Sequence, residues 1–172
     1  MTITLTADCS RCAALCCLGL AMDKGEDFAI DKPAGLPCPN LDGHLCRIHK
    51  TLEWEGFSGC VRYDCAGAGQ RVVQDVFAGA SWQTEPELAR PMIDAFRAMR
   101  LIHDLMQLLM AAEALSLPDA EEERRYALLD TLEREDWTPE TLAAFETGSI
   151  PGEVQSFIRS LRAFVPARAP RG

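Results

Sequence analysis

The chain has 172 residues, 48% of them hydrophobic and 25% charged, ordinary globular values that exclude wholesale disorder. Its formal net charge of −9 reflects 7 basic against 10 acidic residues over 1–83 and 10 against 16 over 84–172, so neither part offers the basic surface that takes nucleic-acid phosphates. No apolar run approaches the ~20 residues that span a bilayer, and MTITLTADC lacks the basic start of a secretory signal, which makes the cytoplasm the expected location.

Asp8 is a good N-cap for a short helix beginning at Cys9. At ~100° per residue, Cys9, Cys12 and Cys16 fall within about 60° of one another and Cys17 widens the arc to about 140°, so one short helix is expected to aim its thiols to one side. Residues 21–37 read as loop with a short strand at Phe28 to Ile30. In CPNLDGHLC, Asp42-Gly43 signals a hairpin that folds Cys38 and Cys46 toward each other. RIHKTLEWEGF suits a short helix ended by Gly56, SGCVRYDC brings in Cys60 and Cys65, and 66–79 is a Gly-rich turn followed by helix or strand.

After Pro86 the pattern becomes helical. Met92, Phe96, Met99, His103, Met106 and Met110 mark one face of a long helix, with Arg97, Arg100, Asp104 and Gln107 opposite. A second helix is expected near Pro118, capped by Ser116, with Leu128, Leu129 and Leu132 as its apolar set. A third runs from Thr138 and Pro139 to Gly148, and a fourth is entered through Ser149 and Pro151. The expected organisation is mainly α: a small irregular Cys-rich metal module with a short β-hairpin (1–83), a helical hairpin or bundle (84–165) and a mobile tail (166–172).

All eight cysteines, Cys9, Cys12, Cys16, Cys17, Cys38, Cys46, Cys60 and Cys65, lie in the first 65 residues. Cytosolic thiols stay reduced, and clustered cysteines there more often hold metals than form disulfides. Thiolates favour soft and borderline metals. Structural zinc usually takes four ligands, and iron–sulfur clusters are generally held by four cysteines. Eight cysteines therefore match two closed four-thiolate sites, or one four-cysteine cluster with four thiols left over. The expected cofactor is zinc or iron, the latter including a [4Fe–4S] cluster. Packing as small hydrophobes and a disulfide scaffold are the competing readings.

The order CSRCAALCC, DKPAGLPCPNLDGHLCRIH and GCVRYDC resembles the CxxCxxCC family of zinc- or iron-chelating proteins. It is also similar to the Cys-rich N-terminal segment of some bacterial proteins that continue into pentapeptide repeats. The resemblance covers about residues 9–70 and implies a compact metal-binding fold of unassigned activity. This chain has three residues between Cys12 and Cys16 where the family pattern has two, EGFSGC in place of the RPxxC that commonly follows the second pair, and no pentapeptide repeat.

Other candidates are weaker. His44 and His49 flank Cys46 as spare ligands, His49 the better placed. His103 and the methionine row read as helical core rather than a ligand and a copper(I) thioether site. GAGQ (67–70) lacks the rest of a dinucleotide fingerprint and reads as a turn, with backbone passing close to a metal. Asp64 and EEERR (121–125) read as solvated. No catalytic constellation stands out. The expected function is thiolate metal binding, with an iron–sulfur redox enzyme or a metal-stapled adaptor as rivals. The acidic helical part is expected either to dock a protein partner or to complete the module's core; nucleic acid and membrane are not expected partners.

Overall fold

The apolar stripe after Pro86 becomes the spine of the molecule. In the computed structural model, which describes residues 3–166, helix α4 (Ala89–Ala111) buries Met92, Phe96, Met99, Ile102, His103, Met106 and Leu109. Only Met110, at the end of the stripe, turns to solvent. Helices α5 (Asp119–Leu132), α6 (Pro139–Thr147) and α7 (Ile150–Ser160) pack on α4 through Leu132, Leu142, Phe145, Val154 and Phe157. The Thr138 hydroxyl and the Thr141 backbone and side chain close a capping box at α6. The α5 cap is Pro118 rather than the expected Ser116, since Pro118 already has the extended backbone of a cap and needs no side-chain bond.

The other side of α4 is covered by the Cys-rich half. Helix α1 (Leu15–Gly19) and helix α3 (Ala68–Arg71), which runs on as a π-helical turn over Val72–Val76, place Leu15, Ala68, Val72 and Val73 in the same core. A second, small core of Met22, Cys38, Leu52 and Phe57 lies under the loops. The chain is thus mainly α, and among the described residues the one sheet is the hairpin β1 (Leu41–Asp42) and β2 (Leu45–Cys46). Leu41 pairs with Cys46 and Asp42 with Leu45, so the turn residues are Gly43, at φ 55°, and His44.

Several local expectations are corrected. Phe28 to Ile30 is not a strand; the extended pairing is the single bridge Met22–Lys32, which leaves Phe28 and Ile30 free to pack on the small core. Residues 47–56 form successive turns rather than a helix, with mostly three-residue backbone bonds and a single four-residue one from Glu55 to Thr51, and end at Gly56, φ 78°. Helix α2 (Ser58–Arg62) follows and carries Cys60. The acidic run is not wholly solvated. Arg125 is 2% exposed; its guanidinium binds the Glu122 carboxylate and donates to the Leu109 carbonyl at 3.2 Å, which stops the C-terminal end of α4. Among the described residues, no helix is long and apolar enough to cross a membrane. The expected mobile tail lies, apart from Pro166, outside the described residues.

Candidate metal centre

The N-terminal thiols are not presented by one helix. The Asp8 carboxylate accepts from Ser10 N–H at 3.0 Å and caps a single 3-10 turn, Cys9–Arg11. The chain then becomes extended at Cys12, and Ala14 adopts φ 54° before α1 begins. Burial explains the break. Ala13, Leu15 and Leu18 are all buried, yet an unbroken helix would set Ala13 about 140–160° away from the two leucines. The interrupted segment is tied down from the far side: Gln70 Oε1 accepts from Asp8 N–H at 2.5 Å, Gln74 Nε2 donates to the Arg11 carbonyl at 3.0 Å and Trp82 Nε1 to the Ala13 carbonyl at 2.6 Å.

All eight cysteines nevertheless line one cavity of about 1080 Å³. The three sequence stretches that carry them meet there between two apolar cores. Cys12, Cys16 and Cys65 pack against the main core, whereas Cys17, Cys38, Cys46 and Cys60 pack in or against the small one. Cys38 N–H donates to the Cys17 carbonyl at 3.0 Å, joining α1 to the hairpin. Cys16 and Cys17 are neighbours on α1 with their Sγ atoms 4.0 Å apart. All eight are free thiols. Among the described residues, no three His, Cys, Asp or Glu side chains are drawn together as a ready-made metal site. The donor set is uniform, and thiols of this number and type suit zinc or iron.

The environment keeps several of these thiols neutral when no cation is near. Burial raises Cys12 to about 12 and Cys60 to about 11, and also lifts Cys9 and Cys46. The hydrogen bond with Cys17, together with burial, pushes Cys16 up as well. A catalytic or redox-sensing thiol needs the reverse shift. A bound cation favours the thiolate directly, so metal uptake here would release protons.

The surrounding residues fix the thiols in place. Asp64 accepts from Ala66 N–H at 2.7 Å and so closes the turn around Cys65, a structural task beyond solvation. Buried His103 holds the same turn from α4: its Nδ1–H donates to the Ala66 carbonyl at 2.6 Å, leaving Nε2 to accept from Arg71 at 3.2 Å. The tautomer follows because a carbonyl can only accept and a guanidinium can only donate. His103 is therefore a core residue, as its pattern suggested. GAGQ begins α3. A Cβ on Gly69 would sit 2.5 Å from Cys12 Sγ, so backbone passes directly against a cluster thiol. His44 and His49 are exposed along the cavity wall.

Three contributors escaped sequence reasoning. Lys32 is 4% exposed, and its ammonium donates to the carbonyls of Leu36 (2.9 Å), Pro33 (3.2 Å) and Leu18 (3.4 Å). Burial lowers its pKa, while the field of Cys38 and Cys17 favours its charge. Tyr63 lines the cavity beneath the Arg100 guanidinium, and burial raises its hydroxyl to about 12. Gly59 lets Phe28 close over α2, since a Cβ there would lie 2.4 Å from the ring. A lysine in KPAG carries no periodicity signal, and steric need at a glycine is visible only once its neighbour is placed.

The chain is similar to a curated protein of Bacillus subtilis (strain 168), the uncharacterized protein YybG, at 46% identity over 114 residues. That match takes in 66% of this chain and spans 40% of the relative's length. No family model and no solved structure matches the chain.

Proposed function

We propose that this protein binds zinc or iron, including an iron–sulfur centre, through its clustered cysteine thiolates, in keeping with its resemblance to the CxxCxxCC proteins. The observation that carries the reading is that eight cysteines from three separate stretches of the chain line a single cavity. Packing alone does not require that convergence, because any small apolar side chain would serve. Burial also argues against Cys12 or Cys60 acting as a nucleophile, whereas a metal cation reverses that penalty. A reducing compartment such as the cytoplasm keeps the ligands available. The acidic surface of α5, with exposed Asp119, Glu123 and Asp130, is the one we assign to a protein partner.

The test is metal content. Full-length protein purified without oxygen should carry stoichiometric metal by elemental analysis, and that metal should be lost when Cys9, Cys12, Cys38 and Cys46 are all changed to serine. Visible absorbance separates brown iron–sulfur protein from colourless zinc protein. A folded, metal-free protein with eight titratable thiols would overturn the reading.

A further inference from the structure

We propose that the eight thiols form two four-thiolate centres that part at the Cys16–Cys17 peptide bond: Cys9, Cys12, Cys16 and Cys65 serve one, and Cys17, Cys38, Cys46 and Cys60 the other. This rests on the metal-binding reading above. Its basis is the division of the cavity wall between two separate apolar cores. Cys12, Cys16 and Cys65 pack against the core built on α4, and Cys17, Cys38, Cys46 and Cys60 belong with the small core of Met22, Leu52 and Phe57. Cys9 is exposed, and it opens the 3-10 turn that leads directly to Cys12.

Helix geometry explains why consecutive cysteines can divide in this way. Successive side chains on α1 point about 100° apart. With Leu15 and Leu18 fixed in the interior, Cys16 is directed to the main core and Cys17 to the small one. The supports differ correspondingly. The first set is braced by α3 and α4: Gly69 lies against Cys12, and His103 and Asp64 hold the turn of Cys65. The second is braced by loops, with the Cys38 amide bonded to the Cys17 carbonyl and buried Lys32 anchored on carbonyls at either end of the same segment. The 4.0 Å between Cys16 and Cys17 sulfurs makes the two centres close neighbours. Loading draws each set of four inward around its ion; each bound thiol loses its proton to solvent, and a divalent ion in four thiolates carries a net charge of −2. The lysine lies on the second side, so the centres are not equivalent.

Cobalt(II), added to metal-free full-length protein under anaerobic conditions, is a direct probe because its thiolate charge-transfer absorbance counts loaded sites. Wild type should saturate at two equivalents. Cys12→Ser and Cys65→Ser should each halve that amplitude and leave one tetrathiolate site, and so should Cys38→Ser and Cys60→Ser. The combination Cys12→Ser with Cys65→Ser should still leave one site, whereas Cys12→Ser with Cys38→Ser should leave none. Cys16→Ser combined with Cys12→Ser should retain one site, but combined with Cys38→Ser it should retain none. Far-ultraviolet circular dichroism identifies variants that fold, and each set offers two single variants. Saturation at one equivalent, or loss of all cobalt in folded Cys12→Ser or Cys65→Ser, overturns the division while leaving metal binding standing. Wild type that takes up no cobalt, and carries neither zinc nor iron as purified, overturns both.

Discussion

His103 makes the folded state sensitive to acid. It is fully buried between the Ala66 carbonyl and Arg71, and burial, with the neighbouring guanidinium cations, lowers its pKa from an ordinary 6.5 to about 4. The unfolded chain takes up a proton near the ordinary value, while the folded chain resists until much lower pH. Between the two, the unfolded state holds more protons, so stability rises with pH and is lost as pH falls from about 6.5 toward 4. At ~1.4 kcal/mol per pH unit the full loss is about 3 kcal/mol, of which about 2 kcal/mol is gone by pH 5. Urea unfolding of wild type and His103→Gln, followed by circular dichroism from about pH 7.5 to 5, should show the gap between them narrowing by about 2 kcal/mol as pH falls. Glutamine retains a donor for Ala66 but cannot titrate, and acid release of any bound metal affects both proteins. Parallel curves over this range would refute the assignment of a neutral, buried imidazole.

Three further outcomes are expected. Gly69→Ala drives a methyl into Cys12 Sγ and should cost about 1–3 kcal/mol as overpacking, with reduced cobalt capacity in the folded fraction; unchanged denaturation and capacity would show that the close approach is absent. Lys32→Met removes the donor shared by three carbonyls and should destabilise by about 1–3 kcal/mol, measured by urea midpoint, with a stable variant contradicting the buried ammonium. Ala78 holds φ 50° with its side chain exposed, so Ala78→Gly should stabilise by up to about 1 kcal/mol and raise Tm by about 2–4 °C; a lowered Tm would count against that backbone conformation.

Legibility in the sequence depended on whether a feature was periodic or local. The α4 stripe, the Thr138–Gly148 helix and the two-strand hairpin were readable because each follows from side-chain spacing or turn chemistry. The break between Cys12 and Leu15 was not. Local propensity favours one helix there, and only the demand to bury Ala13 together with Leu15 and Leu18 decides otherwise. The same applies to Arg125 in its acidic run, which is drawn inward by a carbonyl sixteen residues away. The convergence of the cysteines was legible in their clustering, but which apolar core each packs against becomes visible only once the two cores are built, and no spacing rule reveals it.

Helix α4 carries a consequence for how the molecule comes apart. Phe96 lies beside Gly19 of α1 and Gly69 of α3, while its neighbour Arg97 grips Glu146 of α6 through two hydrogen bonds. Peeling either half from this shared beam strips cover from the other. The thiol cavity and the helical layer should therefore melt as one cooperative unit, with the central amides of α4 exchanging hydrogen only through global opening. An ion captured at one end of the molecule would then slow exchange at the other, without any change of shape between them.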